Sequence, residues 1–102
     1  MPQEAFEKDP PLTSKLKHLP DRPGVYLFRN SGGDVLYVGK AKSLRSRVRS
    51  YFHTSASHNI RIQVMVSLVR DVSLIITDTE AEALILEEQL IKTHLPLSLI
   101  HI

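Results

Sequence analysis

The sequence predicts an α+β domain with a small, mainly antiparallel sheet. Three observations carry that expectation. The chain has 102 residues, which is room for one core and not for two. Short strand patterns and helical patterns succeed one another in the order β-β-α-(α or β)-β-α. Asn30-Ser31-Gly32-Gly33 separates the first two strands as a hairpin loop, so that pair at least is antiparallel.

Each element has its own signal. Residues 1–11 are polar and read as a mobile arm. Leu12, Leu16 and Leu19 fit a short helix that Pro20 stops. Asp21-Arg22-Pro23-Gly24 is a turn, after which residues 25–29 read as a strand. Residues 35–38 return as the second strand, with Gly39 at its end. Ser43 is placed to cap a helix through Tyr51, in which Leu44, Val48, Tyr51 and Phe52 recur at helical spacing. Residues 54–58 form a polar loop. Residues 59–69 are ambiguous. Ile60, Ile62, Val64, Val66 and Leu68 alternate as in a strand, while Ile60, Val64 and Leu68 also fit a helix. Residues 72–77 form another strand. Thr79 with Glu82 makes a capping box for a helix to about Thr93, and Pro96 follows as a stop.

Composition excludes several classes of function. There is no cysteine, so there is no disulfide, thiolate nucleophile or Cys-ligated zinc site. His18, His53, His58 and His94 lack zinc-ligand spacing. Gly32-Gly33 is not followed by the Lys and Ser/Thr of a phosphate loop. No apolar run reaches the length of a membrane span, and the polar first residues are no signal peptide. Together these features suit a cytoplasmic protein.

The net charge of +2 hides an uneven distribution. Residues 35–70 hold seven basic side chains and no acidic one, whereas residues 71–102 hold six acidic and one basic. Lys40, Lys42, Arg45, Arg47 and Arg49 lie close together, with Tyr51, Phe52 and His53 just after them. Basic residues interleaved with aromatics suit a polyanion such as nucleic acid, and they also suit a solvated helix face. Within this run Arg47 borders the apolar helix face and shares its side with Tyr51. It is therefore the guanidinium expected to hold a fixed pose, with Arg45 and Arg49 pointing outward.

Glu87 is the most informative single residue. Its helical neighbours Ala83, Leu84, Leu90 and Ile91 are all apolar. A carboxylate in such a face is costly unless it is paired or bound to a cation. Two readings follow: an ion pair or rim position, or a metal or catalytic role.

Gly24-Val25-Tyr26 opens one strand and Tyr37-Val38-Gly39 closes the next. A basic capped helix and a Glu in an apolar helix face come after. With the strings PGVYLF, LYVGKAKSLRSRVRSYF and TEAEALILEEQLIKTHLP, this constellation resembles the GIY-YIG nuclease family, and in particular its branch in bacterial nucleotide excision repair. The resemblance covers residues 12–96. It implies a three-stranded antiparallel sheet surrounded by helices, and hence a helix over residues 59–69. It also implies metal-dependent hydrolysis of a phosphodiester 3′ to a lesion, in damaged double-stranded DNA held by UvrB through parts of a longer protein. The domain alone is expected to be a monomer. By the same resemblance Glu87 is the sole protein ligand of one Mg²⁺ or Mn²⁺, and Arg47 neutralises the scissile phosphate. Tyr37 orients or deprotonates water, with Lys40 lowering its pKa, while Tyr26 and Tyr51 position phosphate or water. Lys42, Arg45 and Arg49 are general DNA contacts. Which tyrosine is the base stays open.

After Pro96 the family pattern calls for an Asn at the place of Leu99. Residues 97–102, LSLIHI, read as a translated library-preparation adapter and are expected to be non-native. A chain without that Asn is expected to nick poorly. The alternative to a nuclease is a module of the same fold that binds DNA or protein without cutting. A pure binder has no need for Glu87 in its apolar patch.

Overall fold

The computed structural model describes residues 12–53 and 59–95. The expectations for residues 1–11, 54–58 and 96–102 lie outside them. The elements are α1 (Leu12–Lys17), β1 (Gly24–Arg29), β2 (Val35–Ala41), α2 (Leu44–His53), α3 (Ile60–Leu68), β3 (Asp71–Ile76) and α4 (Glu80–His94). The strands form one antiparallel sheet in the order β2-β1-β3. The α+β class, the three-stranded sheet and the helix over the ambiguous segment are all present. Among the described residues no helix is long and apolar enough to cross a membrane.

β1 is the middle strand and is buried on both faces, which explains why its text is a nearly continuous apolar run. Tyr26 and Phe28 point to one face, where α1, α2 and α3 supply Leu16, Leu44, Val48, Tyr51 and Met65. Val25 and Leu27 point to the other, where α4 lays down Ala83, Leu86, Leu90 and Ile91. The arginine-bearing helix α2 and the glutamate-bearing helix α4 therefore lie on opposite sides of the sheet.

The β1–β2 turn is built on Asn30, whose Oδ1 accepts from Gly32 N at 2.9 Å and Asp34 N at 3.0 Å. Gly33 takes a positive φ of 84°, which glycine adopts without strain. β2 runs on through Gly39 to Ala41, past its expected end at Val38. Gly39, Lys40 and Ala41 stay paired with Tyr26, Val25 and Gly24 of β1. Gly39 stands opposite Tyr26 in the register, and a Cβ at Gly39 would collide with the Tyr26 ring and hydroxyl. Gly24 has a similar origin: a Cβ there would meet Ile75 O, and Leu44 Cδ1 at 2.9 Å.

Ser43 caps α2 by accepting from Ser46 N at 3.3 Å, and it donates to Asp21 Oδ1 at 2.6 Å. The preceding turn meets the same helix end, since Leu44 N donates to Arg22 O at 2.9 Å. In α3, capped by Asn59, the buried residue is Met65. The stripe Ile60, Val64 and Leu68, which suggested a helix face, points to solvent. The α4 capping box is complete, with Glu82 N donating to Thr79 Oγ1 at 3.1 Å and Thr79 N to Glu82 Oε1 at 3.2 Å.

Candidate active site

Three tyrosines from three elements converge. Tyr26 comes from the middle strand, Tyr37 from the edge strand β2, and Tyr51 from α2. Their ring centroids lie 5.8 Å apart for Tyr26–Tyr51, 6.2 Å for Tyr26–Tyr37 and 6.3 Å for Tyr37–Tyr51. The Tyr26 and Tyr51 hydroxyls share a hydrogen bond of 2.9 Å. Tyr26 is almost fully buried against Gly39, while Tyr37 is half-buried. The floor of the site is thus an aromatic layer whose order depends on a missing side chain at Gly39.

The titration behaviour follows from that layering. Burial, then the neighbouring Tyr51, pushes the Tyr26 phenol far above its ordinary range. Tyr37 is pushed up to about 12, first by burial, then by Tyr51 and the Glu87 carboxylate. Arg47 pulls both phenols down. Arg47 is thus a cation acting on both phenols. Lys40 acts on Glu87.

Glu87 is half-buried on α4, on the side that overlies β2. Burial raises its pKa, while the charge and backbone amide of Lys40 pull it down and Glu88 pushes it up. Its apolar surroundings are as the helix spacing predicts on the inward side, with Ala83 fully buried and Leu90 and Ile91 partly so. Leu84 is 42% exposed, so the carboxylate sits at the rim of the apolar face. No arginine pairs with it among the described residues.

The arginines exchange the roles their spacing predicts. Arg47 is exposed, and its guanidinium makes no hydrogen bond or ion pair among the described residues. Arg45 Nε donates to Leu19 O at 3.1 Å. Arg49 Nε donates to Leu16 O at 3.3 Å and its Nη2 to Lys17 O at 3.3 Å. Those carbonyls belong to the last turn of α1 and the residues after it. Cations at a helix C-terminus satisfy orphan carbonyls and complement the dipole. Periodicity along α2 could not show this, because the acceptors come from another element.

The donor set fits a hard divalent cation held by few protein atoms. The described residues contain no cluster of three or more His, Asp or Glu side chains that would make a closed cage. What they contain is one rim carboxylate, raised in pKa by burial, with Lys40 as the cation acting on it. Magnesium binds in that manner, through one or two carboxylates with waters and a phosphate oxygen completing its shell.

Comparison with known proteins agrees with this geometry. The family model of the UvrC-like GIY-YIG domain matches residues 22–98. Over 85 residues the chain is 59% identical to the UvrABC system protein C of Gloeobacter violaceus and 56% identical to that of Desulfitobacterium hafniense. Each alignment covers 83% of this chain and 14% of the relative, so the chain spans about one seventh of the length of these proteins. Among solved structures it resembles the GIY-YIG N-terminal endonuclease domain of UvrC from Thermotoga maritima, bound to its catalytic divalent cation, magnesium. The TM-score is 0.71 at 35% identity, over 80% of this chain and 88% of that one. A Tyr-lined sheet, an arginine helix on one side, a lone rim glutamate on the other and a family match over most of the length lead to one conclusion: this chain belongs to the UvrC-like GIY-YIG endonuclease domains.

Proposed function

We propose that this domain hydrolyses a DNA phosphodiester 3′ to a lesion during nucleotide excision repair, on damaged duplex DNA held by UvrB. The observation that carries the reading is Glu87: a rim carboxylate close enough to act on the Tyr37 phenol, on which the exposed Arg47 acts as well. A divalent ion at Glu87, magnesium or manganese, would supply positive charge beside the leaving 3′ oxygen.

The chain's own residues do the rest. The Arg47 guanidinium, not engaged elsewhere, neutralises the non-bridging oxygens of the scissile phosphate with its planar fork. Tyr37 orients the attacking water and, in its phenolate form, accepts the water's proton to return to the phenol. Its raised pKa, already including the pull of Arg47, is a handicap at neutral pH that positive charge cancelling Glu87 would reduce. Tyr26 is too deeply buried and too strongly protonated to act as the base, so it holds Tyr51 in place through the 2.9 Å hydrogen bond. Tyr51 in turn positions water or phosphate. Lys40 steadies the Glu87 carboxylate. Lys42 contacts the DNA backbone, as do the remaining N–H groups of Arg45 and Arg49. The domain comprises residues 12–96. On the same reading residues 97–102 are non-native, with Leu99 where the family pattern calls for Asn.

The test is incision of a UvrB-bound lesion duplex in Mg²⁺ or Mn²⁺, with Leu99→Asn included to restore the Asn. The expected outcome is cleavage on the 3′ side that Glu87→Ala abolishes while DNA binding persists. Full cleavage by Glu87→Ala would refute the assignment. Binding without any cleavage would favour the non-cleaving module.

A further inference from the structure

The two outer strands of the sheet are protected unequally. β2 is overlaid by α4, its pairing with β1 shifts register between Phe28 and Arg29, and it carries an exposed Lys40. β3, the other edge, pairs with β1 in unbroken register from Asp71 to Ile76. Its text from Val72 onward, VSLII, holds no charge, no proline and no bulge. Ile75 and Ile76 are 39% and 50% exposed. An open, apolar, regular edge of this kind is a template for another strand.

One feature closes part of it. Lys15 Nζ donates to Asp71 Oδ1 at 2.6 Å and to Val72 O at 3.3 Å. The same Asp71 Oδ1 accepts from Val72 N at 2.8 Å. Both backbone polar groups of Val72 are thus taken by side chains. Backbone groups alternate in direction along a strand, so those of Leu74 and Ile76 turn the same way as those of Val72.

We propose that the Lys15–Asp71 pair shields the β3 edge and keeps two copies of this domain from joining their sheets edge to edge. A second copy is the matching occupant because an antiparallel edge is complementary to itself across a two-fold axis. Pairing centred on Leu74 sets Val72 of one copy against Ile76 of the other. The exposed Ile75 of each copy then lies against Ser73 of the other, and the pairing from Val72 to Ile76 is uncharged throughout. The shield removes the Val72 rungs from both ends of that ladder. A partly exposed ion pair of this kind contributes little to folding. Its effect is on association.

The experiment is sedimentation of the 102-residue chain at about 100 μM, in the concentration range where exposed edges associate. Wild type should be monomeric, as should Lys15→Arg, which keeps a donor. Lys15→Met and Asp71→Ala should associate on the order of tenfold more strongly. Leu16→Ala, which loosens α1 without touching the pair, should stay monomeric. The proposal is overturned if Lys15→Met and Asp71→Ala remain folded and monomeric, or if Leu16→Ala associates equally. Should neither shield variant fold, amide exchange in wild type decides: a Val72 amide as fast as that of Leu74 overturns the proposal, and a slower one upholds it.

Discussion

At the residue scale the site rests on what glycine lacks as much as on what tyrosine supplies. The Tyr26 ring lies where a side chain at position 39 would be, and it carries the hydroxyl that holds Tyr51. Gly39→Ala is therefore expected to cost about 1–3 kcal/mol by overpacking. Gly32→Ala, whose new Cβ meets nothing nearer than 3.5 Å, should be close to neutral. Urea titration of the two variants checks the contrast. The two tyrosine tripeptides were legible in the sequence. The reason for Gly39 was not, because it depends on the cross-strand register with Tyr26. Glu87 stood out from helix spacing alone, whereas its coupling to Lys40 is a contact between α4 and β2 that no local pattern contains.

At the element scale the arginines of α2 divide their labour. Arg45 and Arg49 fasten the end of α1, a six-residue helix too short to be stable alone. Arg49→Ala is expected to lower stability by about 1–2 kcal/mol, as for lost hydrogen bonds to a charged group. It should also speed amide exchange in residues 12–19. Lys42→Ala should leave stability alone and reduce the salt slope of DNA binding by about 0.9, one phosphate contact. A stability loss in Lys42→Ala, or none in Arg49→Ala, would contradict this division. Strands, caps and the last helix were readable because their signals are local: Asn30-Ser31-Gly32-Gly33, Ser43, and Thr79 with Glu82. Residues 59–69 were not, since period two and helical period coexist there. Tertiary packing chose helix and buried Met65, turning the stripe Ile60, Val64 and Leu68 outward.

At the scale of the whole molecule the uneven charge of the sequence becomes a spatial division across the sheet, with α2 on one face and α4 on the other. The tyrosine layer between them makes the fold sensitive to alkali. An unfolded tyrosine ionises near 10, while Tyr37 in the fold keeps its proton to about 12, and Tyr26 beyond that. The folded chain binds more protons in that window. The tyrosine contribution is therefore complete below pH 10 and is lost as pH rises toward 12. Urea midpoints measured across that range should fall, with phenolate absorbance appearing late in the folded chain. Glu87 has the same sign at lower pH. Its raised pKa means that the ionised carboxylate is a cost to the metal-free fold at neutral pH.

That cost turns the central claim, a divalent cation on Glu87, into a thermal measurement. Wild type and Glu87→Gln are melted at neutral pH in chelator and then in MgCl₂. In chelator Glu87→Gln should be the more stable. Magnesium at about ten times its Kd should stabilise wild type by roughly 1.4 kcal/mol, on the order of 5–10 °C for a domain of this size. It should leave Glu87→Gln unmoved. Equal magnesium shifts in the two chains, or none in wild type, would contradict the assignment of Glu87 as the metal ligand.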